Sequence, residues 1–149
     1  MTERYIDSVC SAIAECFGED YHIYTDKVPQ EFLTPCFFVS LDSSDRQERL
    51  GGRAILRCAV TVKYFPGNSI EPEGECRWVM DRLQYALKFI ETDGVTIPGF
   101  SLSGSIGKSK LSFSVVYDIF VTSEEETEKM EVLTIQKNIG NKILEKEGM

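Results

Sequence analysis

The sequence predicts an α+β fold, a two-layer sandwich in which two helices cover one face of a mainly antiparallel sheet. Two segments repeat apolar side chains at helical spacing, and each has a single apolar stripe. Five other segments read as strands, mostly through alternation of apolar and polar residues. Because a helix with one apolar stripe must bury it against another layer, we expect both helices on the same face of the sheet. The expected order is α-β-β-β-α-β-β followed by a C-terminal tail.

The first helix is predicted over residues 2–17 and the second over residues 72–91. Thr2 suits the start of the first helix, and Gly18 suits its end. Pro72 fits the first turn of the second helix, where acidic neighbours favour the positive end of the helix. The stripe of the second helix consists of Cys76, Val79, Met80, Leu83, Ala86, Leu87 and Ile90.

The strands are predicted over residues 21–24, 35–42, 54–65, 100–106 and 111–121. Residues 54–65 form the longest candidate, with one apolar face and one mixed face. In the strand over residues 100–106, the alternation places Phe100, Leu102 and Ile106 on one face. The polar stretch 43–53 ends in two glycines, so we expect a long, mobile connection there.

Gly107-Lys108-Ser109 resembles the end of a phosphate-binding loop, but the surrounding sequence argues against one. That motif requires a glycine where Leu102 stands, and it must open a helix. The next segment alternates as a strand instead, so a hairpin turn is predicted.

Length and charge narrow the class of protein. The 149 residues, 42% of them apolar, predict one folded domain over residues 1–122, with an acidic linker and extension over 123–149. With 16 basic and 24 acidic residues, the net charge of −8 argues against a general nucleic-acid binder. No apolar run reaches the roughly 20 residues of a membrane helix, and the charged N-terminus lacks a signal-peptide core. We therefore expect a cytoplasmic protein with no membrane partner.

No pattern of reactive residues predicts catalysis, a metal site or a cofactor. The five cysteines are odd in number and lack CxxC spacing, which favours packed, reduced thiols. The single histidine, His22, would need a partner nucleophile and an orienting acid to act as a general base, and Ser40, Asp42 and Ser44 are candidates by residue type alone. One alternative remains open, a small-molecule-binding or enzymatic α+β domain whose site lies where Tyr21, His22 and Tyr24 meet a sheet edge.

The sheet face away from the helices is unusually apolar for a surface. It carries Ile55, Phe65, Val116 and Phe120, next to charged side chains such as Arg57. Scattered apolar residues on a surface are normal. The long strand over residues 54–65 and the apolar tail favour a second interpretation, in which another subunit covers this face.

The order of four short motifs resembles the tail terminator proteins of phages and prophage-like particles of Gram-positive bacteria. These motifs are PCFFV at 35–39, KYFP at 63–66, LKFIE at 87–91 and LSFSV at 111–115. The resemblance covers residues 1–122. It implies a non-enzymatic protein that forms a ring, typically a hexamer, on the last ring of tail-tube subunits and stops tube growth.

The resemblance also implies where the protein acts. Such a ring presents a surface to the head–tail connector, and in contractile particles, including bacteriocins, it also contacts the sheath. The protein is then made in the bacterial cytoplasm and becomes part of a virion or a phage-tail-like particle, through which DNA passes only as cargo. A tail-completion or connector protein of the same particle is an alternative.

Three sets of residues are the predicted subunit or channel contacts. The polar connection supplies Arg46, Arg49, Leu50 and Arg53, which would order against a neighbour or line the channel. The outer sheet face supplies Ile55, Phe65, Val116 and Phe120. The tail supplies Leu133, Ile135 and Ile139, which would dock on an adjacent subunit or a sheath protein.

Overall fold

The computed structural model describes residues 2–25 and 30–122, and their secondary structure confirms the α+β class. The elements in chain order are α1 (Thr2–Phe17), β1 (His22–Thr25), β2 (Cys36–Arg49), β3 (Arg53–Phe65), α2 (Pro72–Ala86), β4 (Phe89–Thr92), β5 (Val95–Gly107) and β6 (Lys110–Thr122). The chain divides into two compact units. The first is Met1–Asp45 with Arg57–Ile119, and the second is Arg46–Leu56 with Phe120–Met149.

The six strands form a sheet in the order β1-β2-β3-β6-β5-β4. β1 runs parallel to β2, with His22 opposite Cys36 and Thr25 opposite Val39. β4 and β5 pair antiparallel, as do β5 and β6. The prediction of a mainly antiparallel sheet is confirmed, and the β1–β2 pair is parallel.

The helices pack on each other and on the last strands of the sheet. α1 contacts β4, and α2 contacts β5. The core between these layers is built from side chains that are at most 1% exposed, among them Val9, Ile13, Val60, Tyr64, Val79, Leu83, Phe113 and Tyr117. The Glu75 carboxylate of α2 accepts hydrogen bonds from the Tyr64 hydroxyl of β3 and from the Gly67 amide, the latter at 3.2 Å. These bonds tie the start of α2 to the end of β3.

The second helix is shorter than the sequence predicts. It ends at Ala86, where the Leu87 amide donates to the Leu83 carbonyl, and residues 89–92 form the short strand β4. Ile90, predicted in the helical stripe, is buried from this strand instead. An apolar residue near the end of a helical stripe also fits an alternating strand, so the pattern alone extended the helix too far.

The prediction of a mobile connection over residues 43–53 is wrong. β2 continues to Arg49 and β3 begins at Arg53, so these residues form the end of a long hairpin. Gly51 and Gly52 have φ values of 78° and 72°, which permit a tight turn after Leu50. The Thr61 hydroxyl of β3 donates to the Asp42 carboxylate just before this stretch, and within it the Ser44 hydroxyl contacts the Cys58 thiol of β3 at 3.9 Å. Strand pairing, which composition does not reveal, orders this stretch.

A β-bulge changes the face on which Phe100 lies. Phe100 pairs with Val116 and Ser103 pairs with Ser114, so β5 uses one residue more than β6 over the same distance. Ser101, inside the bulge, has a φ of 54°. The expectation that Phe100 shares a face with Ile106 is therefore wrong. Ile106 pairs with the buried Leu111, whereas Phe100 lies beside Val116 on the opposite face.

The turn between β5 and β6 is the predicted hairpin turn. Lys108 and Ser109 have φ values of 52° and 59°, as a two-residue turn with two left-handed positions requires. Because β6 follows directly, no helix start is available here to bind phosphate.

Candidate functional site

Alternation along β3 and β6 determines which side chains reach the outer face, defined here as the sheet face opposite the helices. On β3, Cys58, Val60 and Val62 are buried, so the residues between them point outward. On β6, Val115 and Tyr117 are buried in the same way. The outer face of the first unit therefore presents Arg57, Val116 and Asp118.

Arg57 organises this outer face. Its guanidinium bonds the Asp118 carboxylate at two points, with Nε–Oδ1 at 2.7 Å and Nη2–Oδ2 at 2.8 Å. The same guanidinium lies 5.2 Å from the ring centre of Phe100, which is 37% exposed beside Val116. Bonding to Arg57 lowers the pKa of Asp118, so this carboxylate stays ionised at neutral pH. Phe100 was not among the predicted contacts because the bulge is not visible in the alternation of the sequence.

Phe65 is partly covered by its own chain. Its ring centre lies 5.1 Å from that of Phe32 and 5.4 Å from that of Phe38, and Tyr24 stacks on Phe38 at 5.1 Å. The Tyr24 hydroxyl accepts a hydrogen bond from the Leu33 amide at 3.1 Å. Phe32, in the segment that precedes β2, therefore packs on the outer face, and no pattern in the sequence predicts this contact.

Among its described residues, 46–56 and 120–122, the second unit exposes two large apolar side chains. Leu50, at the hairpin turn, is 94% exposed, and Phe120 on β6 is 75% exposed, whereas Ile55 is half-buried. Exposed apolar side chains of this size are candidates for contact with another protein. The predicted residues Leu133, Ile135 and Ile139 lie outside the described residues.

The hairpin tip, defined as residues 46–53, carries a local excess of positive charge. It contains Arg46, Arg49 and Arg53 against the single carboxylate of Glu48. Arg46 bonds to Glu48, and Arg49 Nη2 donates to Gln47 Oε1 at 3.2 Å. The tip is therefore basic in a chain whose net charge is −8.

The residues of the small-molecule hypothesis do not share one environment. Tyr21 packs on Phe17 and Phe37, with ring centres at 5.3 Å and 5.9 Å, and burial raises its pKa. His22 is exposed on β1, with its ring 6.5 Å from that of Tyr24. The described residues contain no cluster of three or more histidine, cysteine or acidic side chains that could hold a metal.

A cleft between α1 and α2, also lined by residues of β4, is a candidate site that the sequence patterns did not predict. It measures about 680 Å³, and its lining includes Ala12, Cys16, Tyr85 and Phe89. Tyr85 and Phe89 are 85% and 53% exposed.

A family model described as "Phage tail terminator protein" matches residues 5–129. The chain belongs to this family. The match extends over most of the chain, and it confirms the resemblance carried by the four motifs. The search among curated proteins found no match.

Membership in the tail terminator family determines the general role of the chain. The protein is a structural component of a phage tail and interacts with other tail components. It is accordingly part of the virion. Within the described residues, no helix is long and apolar enough to cross a membrane.

Proposed function

We propose that this tail terminator forms a closed ring, a hexamer, on the last ring of tail-tube subunits and thereby ends tube growth. Family membership supports the terminator role. The observation that carries the ring is the exposure of Leu50 and Phe120, at 94% and 75%, in the second unit. Contact with a neighbouring copy would remove both side chains from water, which stabilises the assembly by burying apolar area.

A ring requires two different surfaces on each copy, because head-to-tail contacts must close on themselves. The first unit offers Phe100 and Val116 on its outer face, next to the ion pair of Arg57 with Asp118. The second unit offers Leu50 and Phe120. These two sets of residues differ in composition, which fits a heterologous contact, in which each copy presents two different surfaces.

The basic hairpin tip is proposed to order against a neighbouring subunit or to line the channel. Arg49 and Arg53 are exposed at the tip and bring positive charge into an otherwise acidic protein. In a channel they would lie near passing DNA, whose backbone attracts arginine without regard to sequence. The net charge of −8 is compatible with this role, because DNA that passes through a ring need not be bound tightly.

The other side of the ring is proposed to meet the head–tail connector and, in a contractile particle, the end of the sheath. The protein acts in this role without catalysis. A tail-completion or connector protein of the same particle has a similar need for exposed contacts. The position of the protein in a particle reconstruction distinguishes a tail terminator from a tail-completion or connector protein.

The decisive experiment combines oligomeric state with tube capping. The purified protein is examined by native mass spectrometry and then mixed with purified tail tubes, whose ends are imaged by electron microscopy. We expect six copies at each capped end and no further growth when tube subunits are added. A protein that stays monomeric at high concentration and leaves the tube ends open and growing would overturn the proposal.

Two variants test the exposed apolar side chains on which the ring proposal depends. Leu50→Asp and Phe120→Asp should each weaken ring formation, because each places a charge where apolar area is buried. Ile70→Asp is the matched control, since Ile70 is fully exposed at 103% and lies in the connection before α2. Equal capping by all three variants would contradict the assigned surface.

A further inference from the structure

The structure points to a specific occupant for the cleft between α1 and α2: we propose that it binds residues 132–144 of a neighbouring copy. This inference rests on the proposed ring, in which adjacent copies bring the tail of one within reach of the cleft of the next. It assigns a receptor site to the tail contact, which the sequence analysis left open between a subunit and a sheath protein.

The shape of the cleft suits apolar side chains from an extended or helical segment. Its volume of about 680 Å³ lies within the roughly 300–1,000 Å³ typical of binding clefts. Ala12 of α1 and Ala86 of α2 leave space between the helices. Tyr85 and Phe89 lie at the edge of the cleft, where 85% and 53% of their surface is exposed and can contact side chains bound in it.

The excess of negative charge in the cleft lining favours a positively charged occupant. The lining contains three exposed carboxylates, Glu15, Asp81 and Glu91, against one cation, Arg82. Arg82 is already engaged, with Nη2 3.4 Å from the Cys16 carbonyl oxygen and the guanidinium 5.4 Å from the ring centre of Trp78. In residues 2–25 and 30–122, none of the three carboxylates has an ion-pair partner. The cleft therefore favours a positively charged, apolar ligand.

Residues 132–144 have this composition. Their sequence, VLTIQKNIGNKIL, contains six apolar side chains and two lysines, Lys137 and Lys142, and no carboxylate. Residues 124–126 are all glutamate, and an acidic cleft repels them. In this proposal the acidic segment before residue 132 does not enter the cleft and serves as a spacer between the folded domain and the bound residues. Residues 123–131 span up to about 30 Å when extended, enough to reach an adjacent subunit.

The native thiol of Cys16 makes the contact measurable in the full-length protein. Cys16 lines the cleft and is half-buried, whereas Cys36, Cys58 and Cys76 are buried. Burial raises the pKa of Cys10 to about 11, so this thiol reacts slowly at neutral pH. We would prepare Ile135→Cys in the full chain, assemble it on tail tubes and treat it with a short bis-maleimide.

We expect a ladder of covalent oligomers whose cross-linked peptides join Cys16 of one chain to the introduced thiol of another. Adding Cys16→Ser should abolish the ladder. Glu147→Cys, which places the thiol outside the proposed segment, should give roughly tenfold less product. Mixing isotopically heavy and light chains identifies inter-chain links by mass.

A second pair of variants tests the cleft itself. In the Ile135→Cys background, Tyr85→Lys should reduce the ladder roughly tenfold, because it removes an aromatic side chain of the kind that contributes most to binding contacts. Ile70→Lys should leave it unchanged. Tyr85 and Ile70 are both highly exposed, so neither change disturbs the core.

The outcomes separate this inference from the proposed function. Rings that cap tubes but give no Cys16 cross-link, or give it only within single chains, overturn the cleft assignment and leave the ring standing. Equal cross-linking from Glu147→Cys also overturns it. Failure to form rings or cap tubes overturns both proposals.

Discussion

Arg57 and Asp118 form a two-point ion pair between the neighbouring strands β3 and β6, at 2.7 Å and 2.8 Å, on the outer face of the sheet. Side-chain exposures of 57% and 23% leave the pair in contact with water. The planar guanidinium matches a carboxylate at two points, so the pair fixes the orientation of both side chains. Arg57 in turn lies over Phe100, so one ion pair holds the apolar part of the outer face in place.

This pair makes stability depend on pH in a defined direction. Bonding to Arg57 lowers the pKa of Asp118 in the folded state below the ordinary value of 3.8. The ion pair therefore contributes fully to folding stability above the pKa that Asp118 has in the unfolded chain. This contribution is lost as the pH falls through the lower pKa that Asp118 has in the folded protein. Asp118→Asn should lower the urea midpoint near neutral pH, and this difference should shrink as the pH falls below 3.8.

The control for this prediction is Asp45→Asn, because Asp45 has only a weaker electrostatic influence on Arg57. Its effect on the midpoint should be smaller at every pH. A constant difference between Asp118→Asn and the native protein across the pH range would contradict the assigned role of the pair.

Tyr117 connects β6 to the end of α2. Its buried hydroxyl donates to the Leu87 carbonyl at 2.7 Å, and burial raises its pKa, which keeps the donor protonated. Tyr117→Phe leaves that carbonyl without this donor, so unfolding free energy should fall by about 1–3 kcal/mol. Tyr85→Phe, at an 85% exposed position, is the matched control and should change stability little. Chemical denaturation of both variants measures the difference.

Gly99 lets β5 approach the end of α2 closely. A β-carbon there would lie 2.8 Å from the Leu87 carbonyl oxygen and 2.8 Å from Val115 Cγ2. Gly99→Ala should therefore destabilise the protein by about 1–3 kcal/mol, the usual cost of overpacking. Gly107→Ala, on the same strand with nothing within 4 Å, should change stability by less than about 0.5 kcal/mol. Similar denaturation midpoints for the two variants would show that the strand can shift away.

Much of the fold could be predicted because its signals are local. The stripe of α1 and the alternation of β3 and β6 depend only on residue spacing, and these elements lie where the sequence predicts them. The hairpin end over residues 43–53 could not be predicted, because its polar residues become a strand only by pairing with β3. The strand β4 could not be predicted either, because Ile90 continues the apolar helical stripe of α2.

The candidate surfaces were predictable only where alternation is unbroken. Phe120 and Val116 follow the period of β6, and the sequence analysis placed both on the outer face. Phe100 was assigned to the opposite face because a single extra residue at Ser101 reverses the alternation. The cleft between α1 and α2 depends on how two helices meet, which no pattern within either helix encodes.

The turn between β5 and β6 is not optimal for its geometry. Lys108 and Ser109 both adopt positive φ, at 52° and 59°, where asparagine and glycine are preferred. The double change Lys108→Asn with Ser109→Gly should raise unfolding free energy by about 0.5–2 kcal/mol. Thermal unfolding measures the effect, and the same changes should leave tube capping intact. A lower melting temperature would indicate that Lys108 or Ser109 makes a contact that outweighs the backbone strain.

Deletion of residues 130–149 tests whether the tail serves assembly or folding. Within the described residues, the buried core is assembled from side chains between Tyr5 and Val121, so the shortened chain should keep its melting temperature. It should nevertheless cap tail tubes more weakly, because Leu133, Ile135 and Ile139 are proposed to contact another subunit. A shorter deletion of residues 146–149 is the control and should cap normally. If the longer deletion unfolds the protein, the tail belongs to the core, and its apolar residues are not free to bind a neighbour.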